Sequence, residues 1–183
     1  GERLNMDDGL TLYDPGVSLQ ELGKLANSVR ERMHGNVAYF NINTHLNPTN
    51  FCIYRCRFCA FRSDLRSPKG YVMDEEQVLA RGREAFENGC TEMHIVGGLH
   101  HKMGYEWYRG ILKSLKDNYP TIHLKAWTPV EVGWFEFLTK KPISWILNDL
   151  REAGLGSLPG GGAEIFHSEV RDQICEHKAD AHK

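Results

Sequence analysis

Leu19, Leu22, Ala26, Val29 and Met33 recur at helical spacing near the start of the chain, with Ser18 and Glu21 placed as a capping box before them and Gly35 after. From Asn36 the period drops to two. Ala38, Phe40, Ile42, Thr44 and Leu46 alternate with Tyr39, Asn41, Asn43, His45 and Asn47, which predicts a strand with one apolar and one amide-rich face. After a cysteine-bearing loop, Asp74 and Gln77 start a helix that carries Val78, Leu79, Ala85 and Phe86 and stops at Asn88 and Gly89. The pattern then repeats. A strand over residues 91–96 runs into Gly97 and Gly98, and a helix bearing Trp107, Tyr108, Ile111, Leu112 and Leu115 reaches Tyr119 and Pro120. A third strand alternates Ile122, Leu124 and Ala126 with His123, Lys125 and Trp127. Pro142 opens a helix with Ile143, Ile146, Leu147 and Leu150 on one side and Gly154 at its end. A brief fourth strand at residues 156–158 precedes Pro159-Gly160-Gly161-Gly162, and Ser168, Val170 and Ile174 read as the start of a fourth helix.

Strands alternating with helices predict an α/β fold with a parallel sheet. An open sheet buries both faces of its central strands and needs them nearly all apolar. Asn41, Asn43, His45 and Asn47 on the first strand, and His123 and Lys125 on the third, demand instead a polar space on one side. The lumen of a TIM-like (β/α) barrel supplies it. A whole barrel takes about 250 residues, so the four units visible here predict the front half of a truncated barrel over residues 36–183, after a helical segment over 1–35. A complete four-unit protein closed by a partner chain is the alternative.

Composition adds exclusions. Twenty-two Lys and Arg against 24 Asp and Glu leave a charge of −2 with no basic stripe, which argues against nucleic-acid binding. No apolar run reaches membrane-spanning length, and the first residues lack a signal-peptide pattern, so the expected compartment is the cytoplasm. The five cysteines are an odd number, and three crowd together as Cys52, Cys56 and Cys59. In a reducing compartment that crowding points to a metal site. Three thiolates from one loop suit three irons of a 4Fe-4S cluster, leaving one iron open to a ligand. A zinc site completed by a histidine is the competing reading, although no second pair of ligands follows.

The Cys-x-x-x-Cys-x-x-Cys spacing, with Phe58 before the last cysteine on the loop after the first strand, resembles the radical S-adenosylmethionine enzymes. The resemblance implies that the cysteines hold a 4Fe-4S cluster, reduced by an external electron donor. The open iron would chelate S-adenosyl-L-methionine, which is then cleaved to a 5'-deoxyadenosyl radical. It further implies that Phe58, Gly97 and Gly98 bind the cofactor, the glycine backbone meeting its methionyl amine. Leu99 stands where many members carry Glu. Residues 45–50, 52–62, 95–100 and 159–166 are similar to the group serving futalosine-route menaquinone and deazaflavin synthesis, and residues 95–100, 123–127 and 157–166 are most similar to the aminofutalosine synthases. Those enzymes act on a small-molecule substrate, adding the radical to 3-[(1-carboxyvinyl)oxy]benzoate. Dehypoxanthine futalosine cyclases and deazaflavin synthase subunits are the near alternatives, and a lone half is expected to turn over little. His101, where relatives often have Pro, departs from the pattern.

Single residues carry two readings each. Lys125 pairs with a substrate carboxylate or reaches solvent as a strand-end lysine. His45, with Asn41 and Asn43, binds substrate or forms a hydrogen-bonded layer in the lumen. Glu131 resembles a position that holds the cofactor's ribose or amine. The Gly160 to Gly162 run lacks a phosphate-loop ending and fits backbone passing close to a ligand. Arg57 and Arg62 offer positive charge to the cysteine loop or simply face solvent. Cys90 and Cys175 read as small buried residues, Trp107 and Tyr108 as core, and His177 and His182 as solvent-facing.

Overall fold

The computed structural model describes residues 2–161, 165–176 and 178, so that Gly162, Ala163, Glu164, His177 and His182 lie outside the described residues. The chain divides into two compact units, 1–40 and 41–183. The first holds two helices, α1 (Met6–Leu12) and α2 (Leu19–His34). Asn5 and Asp8 close a reciprocal capping box on α1, each side chain accepting the other's backbone N–H at 2.9 Å. Ser18 caps α2 through the Glu21 N–H at 3.4 Å, and Gly35 ends it at φ 59°. Neither helix has a buried residue.

The second unit runs β1 (Asn43–Leu46), α3 (Glu75–Glu87), β2 (Glu92–Ile95), α4 (Tyr105–Asn118), β3 (His123–Ala126), α5 (Pro129–Thr139), α6 (Ile143–Glu152) and α7 (Ser168–Cys175). The three strands form one parallel sheet in the order β1-β2-β3. Alternation divides their side chains between two faces. Leu46, Met93, Ile95, Leu124 and Ala126 join Val78, Ala85, Tyr108, Leu112, Leu115, Phe135, Ile146 and Leu150 in one buried cluster. Each fully buried aliphatic or aromatic side chain there contributes about 1.5–3 kcal/mol. Asn43, His45, Glu92, His94, His123 and Lys125 occupy the other face, which bears out the polar side expected of the sheet.

Several expectations need correction. The strand expected from Asn36 survives only as β1, because a strand persists only where a partner offers a ladder. The Ile42 carbonyl still accepts from the N–H of Thr91 and Glu92 (2.8 and 3.2 Å), and before it the alternating residues lie open, Phe40 being 87% exposed. The fourth strand is a single parallel bridge from Ser157 to Lys125, with the Ala126 N–H donating to the Ser157 carbonyl at 2.9 Å. Pro159, with no N–H to donate, and Gly160 and Gly161 after it do not extend the ladder.

Trp127 does not share the polar face of Lys125. Its φ of 60° breaks the pleat, and the ring turns to the core side, fully buried against Tyr108 and Phe135 at centroid distances of 5.5 and 5.9 Å. Helix α5 is unanticipated. Thr128 caps it in a reciprocal box with Glu131, and Pro129 occupies its first turn. No helix among the described residues is long and apolar enough to cross a membrane.

Candidate functional site

At the carboxyl end of a parallel strand the chain leaves the ladder, and backbone groups become free to meet a ligand. After β1 the chain enters the loop that carries Cys52, Cys56 and Cys59, all free thiols, the first two half-buried and the third exposed. Loop backbone is anchored on several sides. The Cys59 N–H donates to the Cys56 carbonyl (3.1 Å), Ser63 to Asn50 (2.8 Å), Ile53 to Leu99 (3.1 Å) and Arg57 to Ile174 of α7 (2.9 Å). Arg62 donates through Nε to the Cys52 carbonyl at 3.3 Å and pairs with Asp64, which Arg55 also meets at 2.9 Å. Arg62 thus braces the loop, while Arg57 contributes its backbone. Burial raises the Cys56 thiol above its usual range, and Lys178 partly offsets that. Phe58 is half exposed, with the Lys178 ammonium 5.1 Å from its ring centroid. A cleft of about 500 Å³ opens beside the loop, lined by Phe51, Cys52, Arg62, Asp64, Leu99 and His101 among others.

The turn after β2 presses against the start of this loop. A Cβ on Gly98 would lie 2.1 Å from the Phe51 carbonyl oxygen and 3.0 Å from the Cys52 Cβ, so only glycine fits. Gly98 also donates to the Thr49 carbonyl at 2.9 Å, and its own carbonyl accepts from the Tyr108 hydroxyl at 3.4 Å. Burial pushes that hydroxyl up to about 12. Asn47 Nδ2 donates to the Val96 carbonyl at 2.8 Å, and the Leu99 carbonyl takes the Ile53 N–H. Among the described residues, the Gly97 carbonyl alone of the four from Val96 to Leu99 has no hydrogen-bond donor.

Glu131 sits behind the same turn, 2% exposed. Its Oε1 accepts the Gly97 N–H at 2.9 Å and its Oε2 the Thr128 N–H at 2.6 Å. Burial raises its carboxyl to about 7, with those hydrogen bonds opposing. In this geometry both carboxylate oxygens of Glu131 face protein backbone.

On the polar sheet face the register sets His45, His94 and Lys125 side by side, one residue from the carboxyl ends of their strands, with Asn43, Glu92 and His123 in the row two residues earlier. The rings of His45 and His94 meet edge to face at 5.0 Å. Burial holds His94 below the ordinary histidine range, and His45 and Lys125 reinforce the effect. Lys125 Nζ pairs with Glu92 Oε1 at 2.5 Å, and Asn43 Nδ2 donates to the same oxygen at 2.5 Å. Burial opposes ionisation of Glu92, but these donors outweigh it and hold the carboxyl below its usual range. Lys125 therefore has a protein partner of its own. Neither Glu92 nor His94 stood out in the sequence, although Glu92-Met93-His94-Ile95 alternates plainly. His123 Nε2 bonds Ser157 Oγ at 2.7 Å. Cys175 is buried and Cys90 packs half-buried against the core, as expected.

The donor chemistry suits an iron-sulfur cluster: three free thiols on one loop, a glycine cradle that a Cβ would fill, and beside it one carbonyl with no donor among the described residues. Among the described residues no three His, Cys, Asp or Glu side chains are gathered around one point, so neither the thiols nor any two of them with a histidine form a preassembled centre.

Comparison with known proteins agrees with this donor set. The Radical SAM superfamily profile matches residues 46–182. The aminodeoxyfutalosine synthase of Thermus thermophilus is 39% identical over 99% of this chain and 48% of its own length, and that of Streptomyces coelicolor 42% over 97% and 46%. The chain thus spans about half the length of these relatives. In fold it is similar to the crystal structure of methylornithine synthase, with a TM-score of 0.72 at 17% identity over 98% of this chain and 50% of that one. The parallel sheet, the cysteine loop on its first strand and the matched sequence together place the chain in the radical SAM superfamily, whose cofactors are a 4Fe-4S cluster and S-adenosyl-L-methionine.

Proposed function

We propose that this chain is the cluster- and cofactor-binding part of an enzyme of the aminodeoxyfutalosine synthase type. The observation that carries the reading is the cysteine loop at the end of β1 packed on a glycine turn that admits no side chain. Cys52, Cys56 and Cys59 would hold the cluster, and Gly97 and Gly98 would meet the methionyl amine through backbone, with Phe58 alongside. The chemistry that both groups would supply when bound is cleavage of S-adenosyl-L-methionine to methionine and a 5'-deoxyadenosyl radical; in this reading the radical would add to 3-[(1-carboxyvinyl)oxy]benzoate, and rearrangement with loss of carbon dioxide or bicarbonate would give 6-amino-6-deoxyfutalosine.

The protein's own part is to position and to shield. Tyr108, which donates to the Gly98 carbonyl, and Trp127, packed on it, are fully buried beside the glycine turn, which suits a radical that must be kept from water. His45, His94 and Lys125 present imidazole and ammonium groups toward the space where a dicarboxylate would lie. In this reading a separate electron donor reduces the cluster, the reaction is cytoplasmic, and the rest of the barrel comes from further residues of the same protein or from a partner chain.

Anaerobic reconstitution with iron and sulfide, followed by electron paramagnetic resonance of the reduced chain, tests the proposal. The expected result is a 4Fe-4S signal that changes on adding S-adenosyl-L-methionine and disappears in Cys59→Ala. Zinc at unit stoichiometry without iron or acid-labile sulfide would overturn it. In the whole enzyme, turnover of a tyrosine-derived deazaflavin precursor in place of the carboxyvinyloxybenzoate would move the assignment to the deazaflavin group.

A further inference from the structure

The glycine turn after β2 is bonded from three sides. Thr49 takes the Gly98 N–H, Tyr108 donates to the Gly98 carbonyl, and Glu131, from a different helix, takes the Gly97 N–H. The last bond fixes the amide at one end of the residue whose carbonyl has no donor among the described residues. The same carboxylate caps α5 through Thr128, so one buried side chain ties the end of β2 to the start of the helix after β3. Burying a carboxylate is costly unless it is hydrogen-bonded, and a role confined to capping would be met by an exposed residue. The resemblance implied that Glu131 touches the cofactor, whereas both of its oxygens are engaged by backbone.

We propose that Glu131 is a positioning residue: by holding the Gly97 N–H it orients the Gly97 carbonyl toward the amino group of S-adenosyl-L-methionine and does not itself bind the cofactor, a role that rests on the cofactor reading above. The titratable groups acting on Glu131 from neighbouring elements are Tyr108 of α4, whose hydroxyl stays neutral well above neutrality, and Lys178 beyond α7. The Tyr108 hydroxyl does not change charge near pH 7. A transition there in the amides bonded to Glu131 therefore reports its own carboxyl.

The first measurement needs no cofactor. In amide spectra of the cluster-free chain between about pH 5 and 9, the Gly97 and Thr128 N–H resonances shift together with a midpoint near 7, and the shift is absent in Glu131→Gln. The second is binding of S-adenosyl-L-methionine to the reconstituted chain. Gln offers one acceptor oxygen where Glu offers two, so it leaves one of the two amides unsatisfied. Its affinity falls about tenfold, the size of one lost hydrogen bond to a charged group, at unchanged iron content. Glu131→Asp, too short to reach both amides, is no better. A Gly97 amide that does not titrate, or a Gln variant that binds as tightly as the parent, overturns the proposal. Failure of the parent to bind at full cluster content overturns the cofactor reading and the proposal with it, while the amide titration separately records whether the bond exists.

Discussion

Replacing Gly98 by Ala tests whether the glycine turn is there for fit. The new Cβ would stand 2.1 Å from the Phe51 carbonyl oxygen and 2.6 Å from its carbonyl carbon, both backbone atoms that no rotamer change can move. Ordinary contact at 3.4 Å requires the turn and the cysteine loop to part by roughly 1.3 Å. That gap breaks or stretches the Gly98-to-Thr49 and Ile53-to-Leu99 bonds, now 2.9 and 3.1 Å. Two bonds at about 0.5–1.5 kcal/mol each, with overpacking of about 1–3 kcal/mol, give a loss of about 2–6 kcal/mol. For a chain of this size each kcal/mol lowers the melting temperature by about 2–4 °C, so a fall of roughly 4–24 °C is expected. Circular dichroism melting of the cluster-free chain measures it, and iron incorporation after reconstitution should drop in parallel. Gly110→Ala is the control. Its Cβ meets nothing within 4 Å in the middle of α4, so the same substitution there stabilises by about 0.5–1 kcal/mol. A Gly98→Ala chain that melts with the parent and loads iron normally would refute the close-approach argument.

Other consequences follow from the same geometry. Because the folded chain raises the Glu131 carboxyl to about 7, the folded state binds more protons than the unfolded one between about pH 4.5 and 7. Stability present at low pH is therefore lost as pH rises through that window, by about 3 kcal/mol; urea midpoints across it should slope down in the parent and be flatter in Glu131→Gln, and parallel slopes would refute the assignment. Asp149 accepts from both Tyr105 (2.7 Å) and Arg109 (2.8 Å) and so joins α6 to α4. Asp149→Ala should cost about 1–3 kcal/mol in denaturant, and an unchanged midpoint would show that the network contributes nothing. Lys125→Met should also destabilise, by about 1–3 kcal/mol, since it removes one of the two donors to the Glu92 carboxylate. The double change with Glu92→Gln should recover part of that loss, and strictly additive losses would argue against coupling.

Elements with a single strong period were legible from residues alone. Helices α2, α3, α4 and α6 have amphipathic stripes or caps that local chemistry fixes, and they fall where the pattern put them. Helix α5 escaped because Val130, Val132, Trp134, Phe135, Phe137 and Leu138 are apolar all round and show no stripe, although Thr128, Pro129 and Glu131 spelled out its start. Strand lengths were overread for a different reason: alternation tells which way a side chain would point, but pairing depends on a partner that a local pattern cannot supply. The cysteine loop was visible as spacing. Its packing on Gly98, the placing of Glu131 behind Gly97 and the Lys125–Glu92 pair join residues more than thirty positions apart, and no window of sequence holds both members.

Trp127 is a position of conflicting demands. Its left-handed backbone favours glycine or asparagine and costs a tryptophan about 1–2 kcal/mol, while its indole fills a space whose emptying would cost about 3–5 kcal/mol. Packing wins, but no natural side chain satisfies both, so the site is locally frustrated. Such a position constrains how the protein can drift. A smaller residue relieves the backbone and empties the core, and a β-branched one fails on both counts. Substitutions tolerated at Trp127 are therefore expected to arrive only with compensating growth at Tyr108 or Phe135, the rings that now share its space.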